Sequence, residues 1–591
     1  MLTQAQFDLL YTLSKTSDTA PTQRQLATQT ALSLGKVNQV LAELREAQLI
    51  ESDYRVTEKG HQSLAPYRVT NAVIMAAGMS TRFAPLSYER PKALLTVKGE
   101  RLIERQIKQL REAGVQSITI VVGYMKEKMF YLGDKFDVEI VVNEDYYRYN
   151  NTSSLMLVRE RLDNTYICSS DNYFVENPFE SHVYRGYYAT VFESGVTNEY
   201  CVTTDRSGKI TDVTIGGENA WIMLGHVYYD RSFSQRFSQL LTAEYEKPST
   251  REGLWEDLYI QHLDQLSLTA RHYSTDVIKE FDSLDELRQF DHDYLKYSNS
   301  AILQNITQVL NCQEQDIQEI KPIKNGMTNT SFRFTCLGKH YVYRHPGKGT
   351  EAFINRHSEA ASMQVAQQLG LDTTFIYMDP EQGWKLSYYI ENARTLDYRN
   401  SSDVQAALTK LRLLHQSAVT TDFAFDIWAQ IEQFQAQLKA TDKLEFDDMP
   451  QLVARIDALK PHLIANGTRC LCHNDSYDPN FLIDASGNMS LIDWEYSGMA
   501  DPACDLGTFL ACSPYDLVEA EAVIQAYFEQ QATPEQVRHY LGYAAVLAFY
   551  WFLWALHQES VGKPVGHYLY MWYRYTKAYS DKALGLYEGR N

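Results

Sequence analysis

Two short stretches concentrate the residues able to do chemistry. In MAAGMSTRFAPLSYERPKALL, residues 75–95, an apolar run enters a turn at Gly78, then presents Arg82 and, after Pro91, Lys92. Backbone N–H groups of a strand-to-turn junction can cradle phosphate oxygens. Arg82 and Lys92 would add positive charge to a triphosphate, with Pro91 fixing the chain that aims the lysine. In HNDSYDPNFLID, residues 473–484, Asp475 and Asn480 share one loop, and Asp493 follows in LIDWEY after a short hairpin. Phosphoryl transfer needs a carboxylate to orient a hydroxyl and separate oxygen ligands to hold Mg²⁺ against ATP. Alone, Gly78 reads as a strand cap and an H-x-D-x-x-x-x-N occurs by chance; LIDWEY at its distance does not.

The elements that must position these groups fall into three segments. Residues 1–66 show helical apolar spacing in FDLLYTL and in TQRQLATQTALSLGKVNQVLAELREAQLI, then a short strand pair around YRVTEKG. From Val69, buried strands (NAVIMAA, SITIVVG, VEIVVN, TYICSSD) alternate with helices such as RLIERQIKQLREAG, so residues 69–292 predict a parallel α/β sheet with ligands at the carboxyl ends of its strands. Residues 300–591 open with strand-like SFRFTCLGKHYVYRH, continue into the helix FINRHSEAASMQVAQQLG and are mainly helical thereafter. The expected fold class is multidomain α/β and α+β.

At 591 residues with 45% hydrophobic and 12% aromatic content, several cores can be filled. Seventy-five acidic against fifty-five basic residues, a formal charge of −20, argue against nucleic acid or an anionic membrane as general partners. Eight cysteines include no CxxC, and Cys470 and Cys472 are too close for half of a standard zinc site, so reduced cytoplasmic thiols are expected. The opening MLTQAQFDLL lacks the basic start and apolar core of a secretion signal. LGYAAVLAFYWFLWAL is shorter than the about twenty residues of a membrane span and is expected to be a buried helix, with no membrane insertion.

The first segment resembles a winged helix-turn-helix of the MarR type, its second motif helix at about 33–46 presenting Lys36, Asn38 and Gln39. Six basic and seven acidic residues there leave no basic stripe, so DNA is a partner the fold allows and the charge does not support. The stretch AAGMSTRFAPLSYERPKALL, with VVGYMKEKMFYL and YNNTSSLMLV, resembles the sugar-nucleotide nucleotidyltransferases and, among them, the bacterial CTP:phosphocholine cytidylyltransferases, a Rossmann-like α/β/α fold. The resemblance implies that Gly78, Ser80, Thr81 and Arg82 hold the CTP phosphates, that Lys92 and Arg82 stabilise charge at the reacting phosphorus, and that Asp171 and Asp282 bind Mg²⁺. Ser80 replaces the family's second turn glycine. Glu280, two residues before Asp282, is an alternative ligand, and Trp255 and Tyr173 are candidates to pack on a trimethylammonium group, although core packing is their commoner use.

The third segment resembles choline kinase and its aminoglycoside-phosphotransferase relatives, a bilobal protein-kinase-like fold. The resemblance implies that Asp475 orients the choline hydroxyl, that Asn480 and Asp493 bind Mg²⁺, and that the loop NGMTNTSFRF, with Asn329 and Thr330, covers the ATP phosphates. Glu359 would pair with Arg344, which stands where most kinases have lysine. Trp551 and Trp554 in FYWFLWALHQ and Tyr570 and Tyr573 in LYMWYRY coincide with the family's choline-pocket positions, so the resemblance implies that they meet the trimethylammonium, which offers no N–H and needs aromatic faces and negative potential, the latter expected from Glu495. An aromatic helical stripe is otherwise most often core. Asp505 is expected to brace the loop.

Together these readings predict a bifunctional cytoplasmic enzyme. It would convert choline and ATP to phosphocholine, then phosphocholine and CTP to CDP-choline and pyrophosphate, for decoration of cell-surface polymers. The alternatives are ethanolamine or an aminophosphonate as head group, or a winged-helix regulator whose other domains sense ligands. A packing role for residues 1–66 is a further reading, which their balanced charge favours.

Overall fold

The computed structural model describes residues 2–16, 21–296, 298–323, 329–347, 354–440, 447–563 and 565–589. The chain divides into two compact units, Met1–Thr307 and Gln308–Asn591. The division falls within the helix Ala301–Leu310, whose first turn is tied to the first unit by a hydrogen bond from Ile302 N to Glu89 Oε1 (3.1 Å).

The first unit opens with helices Gln4–Ser14, Gln23–Thr30 and Leu34–Glu46, each started by a hydroxyl cap, Thr3, Thr22 and Ser33, that accepts a first-turn N–H. Phe7, Leu10, Leu26, Val37, Leu41 and Leu44 close their core. The expected strand pair around YRVTEKG is not formed. Only an isolated bridge joins Ile50 to Val56, and Thr57 caps a helix over Glu58–Leu64 by accepting from Gly60 N. Phe7 and Tyr11 on the first helix pack against the α/β part of the same unit: Phe7 lies 5.0 Å from the Tyr67 ring and 5.5 Å from Tyr184, and Tyr11 Oη is 3.0 Å from Ser181 Oγ. Lys36, Asn38 and Gln39 are exposed on the third helix, where Lys36 donates to Gln39 and Gln39 to Glu43.

The larger part of this unit is a seven-stranded sheet in the order Thr269–Tyr273, Tyr187–Thr204, Ile210–Tyr229, Thr165–Ser169, Asn71–Ala76, Ser117–Val122, Glu139–Val142. Asn71–Ala76 runs parallel to both Ser117–Val122 and Thr165–Ser169, as expected for β-branched, fully buried strands fed by crossover helices. Register decides what meets at the carboxyl edge: Met75 lies opposite Ser169, so the turn after Ala76 and the residue Asp171 emerge side by side.

The second unit begins with a five-stranded antiparallel sheet in the order Ile317–Ile323, Thr330–Cys336, Lys339–His345, Lys385–Tyr388, Phe375–Met378, backed by the helix Arg356–Gln368. Residues 324–328 of the expected phosphate loop lie outside the described residues. Apart from two small sheets, Arg394–Thr395 with Phe481–Ile483 and Met489–Leu491, and Cys470–Cys472 with Gly498–Ala500, the rest is mainly helical around Pro534–Ser560. By length and composition this helix could cross a membrane, with a mean hydropathy of 1.3 over its most apolar window, but that window is wholly buried in the protein core. Hydrophobic on all sides, it is a central core helix.

Candidate active sites

The seven-stranded sheet is mixed and not wholly parallel as expected, since Ile210–Tyr229 runs antiparallel to both its neighbours; a cavity of about 520 Å³ opens at the carboxyl edge of its parallel strands, and Gly78, Ser80, Thr81, Arg82, Lys92 and Asp171 all line it. A Cβ at Gly78 would meet nothing within 4 Å, so the turn leaves open space above its backbone. Beneath it, Gly123 is required by contact: a Cβ there would sit 2.7 Å from Tyr146, and the neighbouring Tyr124 N donates to Ala77 O (3.0 Å). Ser80 takes the left-handed conformation (φ 47°) that a glycine would adopt freely, at a cost of about 1–2 kcal/mol. The replacement thus preserves the turn and strains it.

Lys92 follows Pro91 into a short turn and is buried, its side chain 7% exposed, with Nζ 3.0 Å from Asp171 Oδ2. Arg82 is its opposite, 80% exposed at the rim and loosely paired with Asp282 at 3.5 Å. Burial works against the charge on Asp171, but the Lys92 ammonium and the Ser169 hydroxyl, 2.7 Å from Oδ1, hold its carboxyl below the ordinary range. Glu280 shows the reverse: the negative charge of Asp171, followed by desolvation, pushes it up to about 8. Antiparallel pairing of Asn172 with Glu280 brings the two carboxylates together. Asp282 lies beyond the end of the strand Ile278–Glu280 and turns to Arg82, so Glu280 is the carboxylate set against Asp171.

Trp255 and Tyr173 are not at the cavity wall. Trp255 is buried against Tyr188 (5.7 Å, 11° between ring planes), and Tyr173 packs edge-on to Phe290 under Arg105. Both are core residues because each falls on the inward phase of its element. The residue that the sequence reading missed is Glu256. It accepts from Asn151, which lines the cavity, at 3.3 Å and from Tyr188 Oη at 3.1 Å, and burial lifts its carboxyl to about 7.

In the second unit the loop between strands Cys470–Cys472 and Phe481–Ile483 is pinned from several sides. Asp505 accepts from His473 N (2.9 Å), Asn474 N (2.5 Å) and the His415 ring (2.8 Å), so it braces the loop. His473 Nε2 bonds Ile492 O, and Nδ1 accepts from Asp475 N, an assignment consistent with a neutral ring kept so by burial. Asn480 Nδ2 donates to both the carbonyl and the carboxylate of Asp475 (2.8 and 2.9 Å). Burial, with the charges of Asp493 and Glu495, raises the Asp475 carboxyl well above its usual range.

Arg344 spans a buried ion cluster. Nη2 meets Glu359 Oε1 at 2.6 Å and Nη1 meets Asp493 Oδ1 at 3.1 Å, while Arg356 bonds Glu359 Oε2 at 2.9 Å. Lys385, opposite Arg344 in the strand register, lies 3.7 Å from both Glu359 and Asp493. Burial opposes ionisation of Glu359, yet three cations hold its carboxyl down at about 2. Glu495 accepts from Asn329 (2.9 Å) and faces Arg344 and Arg356, so it belongs to this cluster and not to an aromatic pocket. Thr330 begins the second strand of the sheet. Lys385 and Arg356 were not foreseen, because only strand and helix packing brings them to Arg344.

Trp551 and Trp554 meet at 5.7 Å, and their companions are Trp572 and Tyr496, not Tyr570 and Tyr573. On His567–Tyr587 the inward face runs through Tyr568, Trp572 and Thr576. Tyr570 is 66% exposed and Tyr573 donates to Asp448 (2.5 Å). The expected i, i+3 pair therefore lies off the helix face that meets Trp551. Trp551 Nε1 has no hydrogen-bond partner among the described residues.

Comparison with known proteins gives two family matches: the MobA-like NTP transferase domain over residues 72–191 and the phosphotransferase enzyme family over residues 319–540. A choline-phosphate cytidylyltransferase of Streptococcus pneumoniae is 32% identical over 228 residues, 39% of this chain and 99% of that protein. A 2-aminoethylphosphonate cytidylyltransferase of Lancefieldella rimae is 35% identical over 38% of this chain and 94% of its own length. The solved structure of choline kinase LicA from Streptococcus pneumoniae is 26% identical, with 47% of this chain and 98% of that one covered and a TM-score of 0.42. Through its middle region the chain belongs to the family of choline-phosphate cytidylyltransferase, and it joins to that nucleotidyltransferase a phosphotransferase domain, so one polypeptide carries both transferase activities.

Proposed function

We propose that the chain phosphorylates choline with ATP in the second unit and couples the phosphocholine to CTP in the first, yielding CDP-choline and pyrophosphate for transfer to a surface polymer. The observation that carries this reading is the pairing of two complete acid–cation sets, Lys92–Asp171 and Asp475–Asn480 with Arg344–Asp493, on one chain.

In the nucleotidyltransferase, the turn from Gly78 to Arg82 receives the CTP phosphates and Lys92, released from Asp171, meets charge at the α-phosphate. Asp171 and Glu280 fit a hard cation, being two oxygen donors that repel one another until one is neutralised. Mg²⁺ bound there would neutralise the phosphate under attack. Glu256, behind Asn151, supplies the negative charge that a quaternary ammonium would restore to it.

In the kinase, Asp475 orients the choline hydroxyl and takes up its proton, a role matched by its raised affinity for one. The amide nitrogen of Asn480 is committed to Asp475, which turns its oxygen the other way; with Asp493 it would hold Mg²⁺, whose chemistry is to screen the ATP phosphates. Arg344 and Lys385 share the task of meeting those phosphates. Trp551, Trp554 and Trp572 form the aromatic surface for trimethylammonium, and Asp475 supplies the negative term first expected from Glu495.

Residues 1–66 are winged-helix-like in helix order and act as a packing module on the nucleotidyltransferase, since their first helix is docked through Phe7 and Tyr11. The relative from Lancefieldella rimae favours a second reading, an aminophosphonate head group. A phosphonate, however, already carries the attacking oxygen and needs no kinase. The test is to supply purified chain with Mg²⁺, ATP and CTP and with choline, ethanolamine or 2-aminoethylphosphonate in turn. CDP-choline formed fastest supports the proposal; reaction of the phosphonate alone, independent of ATP, sinks it.

A further inference from the structure

On the strand that leads into the kinase loop lies a group of side chains that neither reaction uses. Cys470 and Cys472 sit two apart on one strand, with Leu471 buried on its opposite face, and their Sγ atoms are 3.6 Å apart. Two thiolates on one tetrahedral zinc ion, each bonded at about 2.3 Å, stand about 3.8 Å apart. The pair is too close in sequence for the usual CxxC half-site, but the strand presents its sulfurs at nearly the spacing a single ion demands, which corrects the expectation drawn from spacing alone. His415 completes the group, with donor atoms of all three residues within 4.8 Å of one another. Closing this to a coordination shell needs shifts of about 1 Å or less.

The setting of His415 adds an independent argument. Its Nε2 is fixed by Asp505 at 2.8 Å, and its Nδ1 faces the hydroxyl of Tyr527 at 2.7 Å. A carboxylate on one ring nitrogen is the usual support of a metal-bound histidine, and Nδ1 becomes a ligand once the Tyr527 hydroxyl that bonds it is displaced. We propose that His415, Cys470 and Cys472 bind a thiophilic divalent cation of the Zn²⁺ class, through two thiolates and an imidazole. Two S–H protons pass to solvent as two metal–sulfur bonds form, and the partly exposed Cys470 gives the ion its entry and room for water as fourth ligand. Asp505 links the site to the backbone of His473 and Asn474, so the ion would sit one residue layer behind the catalytic loop.

The test uses the full-length chain, reduced and stripped of metal, titrated with Co²⁺ and then Zn²⁺ in excess Mg²⁺. One equivalent of Co²⁺ should give thiolate-to-metal charge-transfer absorption, bleached by Zn²⁺, and Zn²⁺ should protect two thiols from alkylation. Cys470→Ser and Cys472→Ser should each abolish the absorption and weaken Zn²⁺ binding by about 10–100-fold or more. Cys201→Ser, in the other unit, should change neither, and retained choline phosphorylation, the activity of the unit that holds Cys470 and Cys472, checks that their variants are folded. Absence of the absorption, or its survival in Cys470→Ser, would overturn the proposal.

Discussion

The two active sites hold their charges in opposite ways. The nucleotidyltransferase relies on one buried pair, Lys92–Asp171, at the wall of an open cavity, with Arg82 exposed at the rim. The kinase packs Arg344, Arg356 and Lys385 against Glu359, Asp493 and Glu495, all but Asp493 nearly inaccessible. A pair that must open to admit substrate can lose a member and stay folded. A closed cluster cannot, because removing one partner strands a buried charge at a cost of about 3–5 kcal/mol.

The largest expected effects break this contrast directly. Glu359→Ala should abolish phosphorylation and destabilise the second unit by about 3–5 kcal/mol in denaturant unfolding. Lys92→Ala should slow cytidylyl transfer by about 100-fold or more while shifting unfolding little, because Asp171 regains water through the cavity. Equal destabilisation by both would erase the distinction.

Next in size are the two aromatic pairs of the second unit. Trp551→Ala should raise the choline KM by about 2–30-fold, the equivalent of one cation–π contact, with ethanolamine less affected. Tyr570→Ala, outside the cluster, should leave both unchanged in steady-state assays. The paired carboxylates of the first unit come third. With Glu280 pushed up to about 8, a proton must leave as Mg²⁺ enters, so the apparent Mg²⁺ affinity should rise up to about tenfold from pH 7 to pH 8. Glu280→Gln should flatten that slope and Asp282→Asn should keep it.

The smallest effect concerns the docked helix. Burial, then the charge of Glu180, lifts Asp8 to about 6, so the folded state favours its protonated form. That stability is full below the ordinary carboxylate range and is lost as pH rises toward 6 and above. Asp8→Asn should therefore raise the melting temperature by a few degrees at pH 7.5 and by almost nothing at pH 4.

What could be read from residues alone was local or periodic. Buried alternating strands announced the sheet around Asn71–Ala76, and the signature turn placed Gly78, Arg82 and Lys92 at one edge because a short chain segment contains them all. What could not be read depended on pairings distant in sequence. Lys385 reaches Glu359 only through its register with Arg344, and Glu280 meets Asp171 only through the strand pair Asn172–Phe174 and Ile278–Glu280. Tyr570 and Tyr573 share a spacing with Trp551 and Trp554, yet the face of a helix that turns inward is set by its neighbours, and it is Trp572 that arrives. Thr57 made a helix of a segment that reads as a strand, since one hydroxyl cap outweighs weak strand propensity.

The central claim is that one chain performs two successive transfers at two independent sites. The direct measurement is formation of CDP-choline from choline, ATP, CTP and Mg²⁺ by Asp171→Ala, by Asp475→Ala, and by an equal mixture of the two. Asp171→Ala should stop at phosphocholine, Asp475→Ala should work only when phosphocholine is added, and the mixture should restore the full conversion. CDP-choline made from choline by either variant alone, or an inactive mixture of folded variants, would contradict it.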